Sequence, residues 1–274
     1  MTSDDLLDDL LDDLRAEGDR LWNAVAGLDD DGWLTPTPAP GWTVATQVAH
    51  LLWTDEVAVL AAGARTPEGK QAWDAVVLEA IEDPTGYVDA QAIEVARLRP
   101  EALLARWGAA RAGLREALRA YPAGEKMPWF GPPMSPASMA TARFMETWAH
   151  ALDVYAALEV HPEPPSDQEG DRVRHVAHLG VRTRNFAFSV HGLDAPAEEF
   201  RIELTAPSGD LWTWGPEDAA QSVRGSAYDF CLLVTQRVHR DDTDLVASGA
   251  DAEQWLSIAQ AFAGPAGEGR PARG

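Results

Sequence analysis

The apolar residues of this chain change their period once, at the segment His161-Pro162-Glu163-Pro164-Pro165-Ser166-Asp167-Gln168-Glu169-Gly170. Before it, apolar side chains recur at helical spacing. After it, a stretch appears that alternates residue by residue, as a half-buried strand does. The segment itself, with three prolines in ten residues, reads as a linker. The fold expected is therefore α+β in two domains: a helical bundle over 1–160, the linker over 161–170, and a smaller α/β C-terminal domain over 171–264. The Gly/Pro-rich tail over 265–274 is expected to be disordered.

Within the first half the pattern gives four long helices. Leu6, Leu10 and Leu14 form an i,i+4 row in a helix over 4–27, widened by Leu7, Leu11, Leu21 and Trp22. Asp29 to Gly41, with three prolines and two glycines, ends it. Thr43 is a good N-cap for a helix over 44–62, with Trp42 positioned as a staple residue. Residues 66–99 read as helical pieces interrupted at Pro84-Thr85-Gly86. Glu101 to Tyr121 is the third long helix. A loop from Pro122 to Pro133 follows, and Ser135-Pro136 starts the fourth helix, which runs to about Glu159. Four such helices predict a four-helix bundle.

In the second half, 172–190 reads as helical. Phe200, Ile202 and Leu204 alternate in a strand over 199–206, and Ser208-Gly209-Asp210 turns into a second strand over 211–214. Residues 221–224 suggest a third strand, and 226–237 and 251–262 suggest helices.

Composition narrows the function. A formal net charge of −22 repels a polyanion, so nucleic acid is excluded as a partner. The acidity otherwise serves solubility. No apolar run approaches the ~20 residues that span a bilayer, and Met1 to Asp13 lacks the basic start of a secretory signal. Cys231 is the single cysteine, so no intrachain disulfide forms. A cytoplasmic location is expected.

The chemistry concentrates in two helices. Glu146 and His150 stand at i and i+4 in Arg143-Phe144-Met145-Glu146-Thr147-Trp148-Ala149-His150-Ala151-Leu152-Asp153 and so share a face. His50 lies on the upstream helix between Ala49 and Leu51, and it meets them if the two helices pack together. Two imidazoles and a carboxylate suit zinc and leave a coordination position for water or substrate. The competing account of His50 is a core histidine bonded to a carbonyl. Asp153, three residues past His150, either holds an imidazole N–H or pairs with a nearby base. His175 and His178 lack a third donor and read as structural or solvent-facing. Trp42, Trp53, Trp129 and Trp148 flank the candidate site, four of eleven tryptophans, and core packing competes with pocket lining for each. Trp129-Phe130-Gly131 in the 122–133 loop is placed to lean over the site. Arg182, Arg184, Arg237 and Arg240 bring cations to an acidic chain, and Arg237 ends a predicted helix, where it suits either the helix dipole or an anionic ligand.

The stretch Gly41-Trp42-Thr43-Val44 through His50-Leu51, followed about a hundred residues later by Glu146-x-x-x-His150-x-x-Asp153, resembles the DinB-like superfamily. Within it the chain is most similar to the mycothiol-dependent maleylpyruvate isomerases of actinobacteria. The resemblance covers both halves. It implies that His50, Glu146 and His150 bind a metal, with zinc the expected ion and other divalent metals admitted. It further implies mycothiol as a thiol cosubstrate and an arginine of the C-terminal domain on the anionic ligand; Arg237 matches that position best.

The function implied by the resemblance is that of a metal-dependent enzyme using a low-molecular-weight thiol for S-transfer or thiol-assisted isomerisation of a small, anionic electrophile. The donor set also suits a hydrolase working through activated water, or a non-catalytic protein that binds a metal or a small molecule. Fold similarity alone does not separate these.

Overall fold

The computed structural model describes residues 3–160, 169–267 and 269–273. The chain divides into two compact units, Met1–Pro162 and Glu163–Gly274. Residues 161–168 of the expected linker lie outside the described residues.

The N-terminal unit contains helices α1 (Ser3–Val25), α2 (Asp30–Trp33), α3 (Val44–Gly63), α4 (Pro67–Glu82), α5 (Tyr87–Val95), α6 (Pro100–Arg119) and α7 (Pro136–Ala157). Their starts follow from local chemistry. Thr43 caps α3, its hydroxyl accepting from the Thr46 N–H while the Thr46 hydroxyl accepts from the Thr43 N–H. Ser135 caps α7 and Thr66 caps α4, each with proline in the first turn, where no N–H is needed. Pro84-Thr85-Gly86 separates α4 from α5.

Four of these helices form the bundle: α1 packs on α6 and α7, and α3 packs on the same two. Because α4 and α5 also pack on α3, that helix has neighbours all around. Residues Val44 through Asp55 are therefore buried without a break. A helix enclosed in this way is apolar on every face, and its few polar residues must find partners inside the protein.

Helix α1 shows the opposite pattern. Leu10, Leu11, Leu21 and Val25 enter the core, while Leu6 of the expected leucine row is exposed. On its polar side Asp19, Asp12 and Asp8 meet Arg111, Arg115 and Arg119 of α6 at 2.7, 2.8 and 2.8 Å. The order runs downward on one helix and upward on the other, as antiparallel neighbours require. Exposed pairs of this kind are worth ~0.2–1 kcal/mol each, so they set register more than stability.

The C-terminal unit begins with a 3-10 turn, Gly170–Val173, followed by α8 (Arg174–Arg182) and α9 (Arg184–Val190). Strands β1 (Arg201–Thr205), β2 (Leu211–Trp214) and β3 (Ser222–Ser226) lead to α10 (Ala227–Val234), β4 (Val246–Ser248) and α11 (Ala250–Ile258). The sheet order is β2-β1-β3-β4, with β1 antiparallel to β2 and parallel to β3, and β4 antiparallel to β3. Ile202 and Leu204 alternate inward as expected, beside Trp212 and Val223. Trp255 of α11 fills the core between Phe200 and Phe230, with ring centroids 5.9 and 5.7 Å away. Strand β4 is not visible in the sequence; three residues are too few to display a period.

Helix α10 stops earlier than its pattern suggests, at Val234 rather than Arg237. Gln236 takes a left-handed φ of 59°. The Gln236 N–H then bonds to Leu233 O at 2.9 Å and the Arg237 N–H to Leu232 O at 2.8 Å, closing the helix in a Schellman motif. The tail beyond Gly264 forms no helix or strand among the described residues, yet Gln260 Nε2 donates to the carbonyls of Phe262 and Pro265 at 3.1 and 3.2 Å. No helix among the described residues is long and apolar enough to cross a membrane.

Candidate metal centre

Helices α3 and α7 bring three donors together. His50 Nε2 of α3 and His150 Nε2 of α7 each stand 3.1 Å from the same oxygen, Glu146 Oε2. The two imidazole rings are 4.5 Å apart between centroids. Among the described residues these are the three side chains of one group whose ligand atoms all lie within 4.8 Å of one another. Among the described residues His175 and His178 belong to no such group; His178 Nδ1 accepts from Trp214 Nε1 at 3.3 Å.

Burial would raise the Glu146 carboxyl, but hydrogen bonds from His150 and His50, and their charge, hold it well below the usual carboxylate range. One carboxylate oxygen facing two imidazole nitrogens needs either a proton on each nitrogen or a cation among all three. The two 3.1 Å spacings are close to the roughly 3.3 Å that zinc bond lengths near 2.0–2.1 Å in tetrahedral geometry put between donors. His50 is 6% exposed, and its Nδ1 is buried with no hydrogen-bond partner among the described residues.

The indole of Trp42 covers both rings. It stacks on His150 at 5.7 Å and 13° and tilts against His50 at 5.4 Å. Trp42 immediately precedes the α3 cap, so the staple position suggested by the sequence carries an aromatic wall of the site. The other tryptophans that flank the motif divide differently. Trp53 stacks near Phe130 at 6.5 Å and meets Tyr87 edge-on at 5.6 Å. Trp129 stacks on Trp73 of α4 at 6.1 Å. The Trp129-Phe130 loop thus closes an aromatic cluster over α3, α4 and α5. Trp148 is 4% exposed.

Behind His150 lies a contact with no sequence signature. His150 Nδ1 makes a short hydrogen bond with Gln47 Oε1. The same amide donates through Nε2 to Thr37 Oγ1 at 2.9 Å, and the Thr37 hydroxyl donates to the Trp42 carbonyl at 3.1 Å. Gln47 is fully buried in the apolar run of α3. The signal that could have found it is physical: a buried amide among alanine and valine must be satisfied by something. Asp153, one turn beyond His150 on α7, is also buried, at 2% exposure.

Arg237 belongs to the C-terminal unit, where its Nη1 donates to Thr235 O at 2.6 Å. Arg240 approaches Glu253 at 3.8 Å, and Arg184 donates to the carbonyls of Glu198 and Pro196 at 2.8 and 3.1 Å. All three arginines have partners within that unit.

The family described as the mycothiol maleylpyruvate isomerase N-terminal domain matches residues 14–155, a span that contains all three donors. A second family, described as wyosine base formation, matches residues 196–248 of the sheet-bearing unit. An uncharacterized protein of Mycobacterium tuberculosis, found in strains H37Rv and CDC 1551, is 56% identical over 258 residues, covering 94% of this chain and 96% of its own. Crystal structures of the mycothiol-dependent maleylpyruvate isomerase and of its histidine-to-alanine variant superimpose with TM-scores of 0.55 and 0.57. Each covers 90% of this chain and 96% of its own, at 17% and 16% identity, so that likeness is one of fold.

Proposed function

The chain belongs to the mycothiol maleylpyruvate isomerase N-terminal domain family, and from that premise we propose that it is a metal-dependent enzyme acting with a low-molecular-weight thiol, mycothiol, on a small anionic electrophile. The observation that carries the reading is the convergence of His50 Nε2, His150 Nε2 and Glu146 Oε2 from two helices onto one point. These three residues would hold a divalent ion, zinc by donor type. When bound, the ion supplies Lewis acidity that lowers the pKa of a coordinated thiol, so that thiolate is available near neutral pH.

The chain's own residues do the rest. Glu146, whose carboxyl lies well below the usual carboxylate range, would contribute the negative charge of the donor set. Trp42 covers the imidazoles and excludes water from their outer side. Asp153 is proposed as a further outer partner on α7, and Arg237 as the cation for the substrate carboxylate. The thiolate adds to a conjugated double bond, the adduct rotates about the resulting single bond, and elimination returns the thiolate; the net change is cis–trans isomerisation. If the adduct is retained and protonated, the product is an S-conjugate.

The test is metal analysis of the purified full chain joined to turnover of maleylpyruvate and related unsaturated acids with and without mycothiol. Stoichiometric zinc and thiol-dependent turnover, both lost in His150→Ala, are expected. Thiol-independent turnover, or full activity in a metal-free His150→Ala protein, would overturn the proposal.

A further inference from the structure

The geometry points to Gln47 and Thr37 as positioning residues that set which nitrogen of His150 faces the metal. The inference rests on the metal-binding reading above. A neutral imidazole offers one bare nitrogen, and the partner of the other nitrogen decides which one it is. Here the partner is an amide, which has one donating end and one accepting end and fits its cavity either way round. Left alone, Gln47 could present its NH2 to His150, leaving the proton on Nε2 and blocking the metal position.

The Thr37 hydroxyl removes that freedom. Its proton goes to the Trp42 carbonyl, 3.1 Å away, so toward Gln47 it accepts. Gln47 must then turn its Nε2 to Thr37, at 2.9 Å, and its Oε1 to His150 Nδ1. An oxygen at that place requires an N–H on Nδ1, and Nε2 is left bare beside Glu146. A backbone carbonyl that only accepts thus fixes the tautomer of a ligand three hydrogen bonds away. The segment that carries Thr37 and Trp42 is itself folded back on α3, with the Thr37 N–H bonded to Trp42 O at 2.8 Å.

The arrangement makes a prediction that simple packing does not. Outer partners of metal-bound histidines typically change metal affinity by about 10–100-fold. Zinc affinity, measured by competition with a chromophoric chelator, should fall by about that factor in Gln47→Leu and by a smaller factor in Thr37→Val. Gln47→Glu should bind zinc at least as tightly as the native protein, because a carboxylate accepts at both ends and has no wrong orientation. Because a carboxylate presents an oxygen to His150 whichever way it is turned, Thr37→Val should lower zinc affinity less in the Gln47→Glu background than in the native one. Thermal melts of the metal-free variants report folding separately.

Equal zinc affinity in native, Gln47→Leu and Thr37→Val proteins would overturn the inference while leaving the metal centre standing. So would a Thr37→Val loss of the same size in the native and Gln47→Glu backgrounds, which is the behaviour of a purely structural residue. Failure of the native protein to bind zinc at all would overturn both this inference and the proposed function.

Discussion

Arg143 of α7 and Asp55 of α3 form an ion pair at 3.0 Å with both residues almost wholly buried, 2% and 4% exposed. The pair ties together the two helices that supply the metal donors, one turn or so beyond them on each. Burial raises the Asp55 carboxyl, and the charge and hydrogen bond of Arg143 work against that rise. Breaking a buried pair from one side leaves a stranded charge and costs ~3–5 kcal/mol, whereas replacing both partners by apolar groups is often neutral. Arg143→Met and Asp55→Leu should each lower stability by about that amount. The double variant should recover most of the loss, read by urea denaturation of the metal-free protein. Additive losses would show that the two side chains do not act as a unit.

Trp42 supplies an optical handle on the site. Its ring lies against both imidazoles, so occupation of the centre should alter its emission. Adding zinc to the metal-free chain should change tryptophan fluorescence, and Trp42→Phe should abolish most of that change while retaining the zinc stoichiometry. A fluorescence change that survives in Trp42→Phe would place its origin at another indole.

Alkaline pH should destabilise the protein through its phenols. Tyr87 is pushed up to about 12 by burial and by the Glu79 carboxylate that accepts its hydroxyl at 3.1 Å. Burial also raises Tyr121 and Tyr155. An unfolded tyrosine ionises near 10. Between the two values the unfolded chain loses a proton that the folded chain keeps, so stability falls as pH rises from 10 through 12. Below pH 10 both states are protonated and these groups contribute no pH dependence. Absorbance at the phenolate band should show fewer ionised tyrosines in the native than in the denatured protein at about pH 11. Equal titration in both would contradict the burial of these rings.

Gly215, just past β2, has a φ of 75°, and a Cβ there would meet Phe200 O at 2.1 Å. The left-handed conformation alone costs a non-glycine residue ~1–2 kcal/mol, and the carbonyl cannot move without disturbing the start of β1. Gly215→Ala should therefore lower the melting temperature of the protein and leave the zinc stoichiometry unchanged. A variant as stable as the native chain would show that the turn adopts another conformation.

Much of the fold is written in local spacing. The leucine rows, the Thr43 and Ser135 caps and the Pro136 start give α1, α3 and α7 their places, and the Phe200-Ile202-Leu204 alternation gives β1 its inward face. The i,i+4 spacing puts Glu146 and His150 on one helix face without any knowledge of the rest. Where the local signal is short or ambiguous, reading fails: β4 is too brief to show a period, and the end of α10 depends on Gln236 adopting a left-handed turn that glutamine rarely takes.

By itself, then, the sequence determined the helices, the strand faces and a pair of donors one turn apart, because hydrophobic period and capping act over a few residues. Tertiary structure alone decided that His50, 96 residues from Glu146, shares its oxygen with His150. It also decided that Gln47, 103 residues from His150, stands behind that imidazole. Those meetings arise from the packing of α3 against α7. A buried polar side chain carries no mark of its partner in the sequence, since the need to be satisfied is local and the group that satisfies it is not.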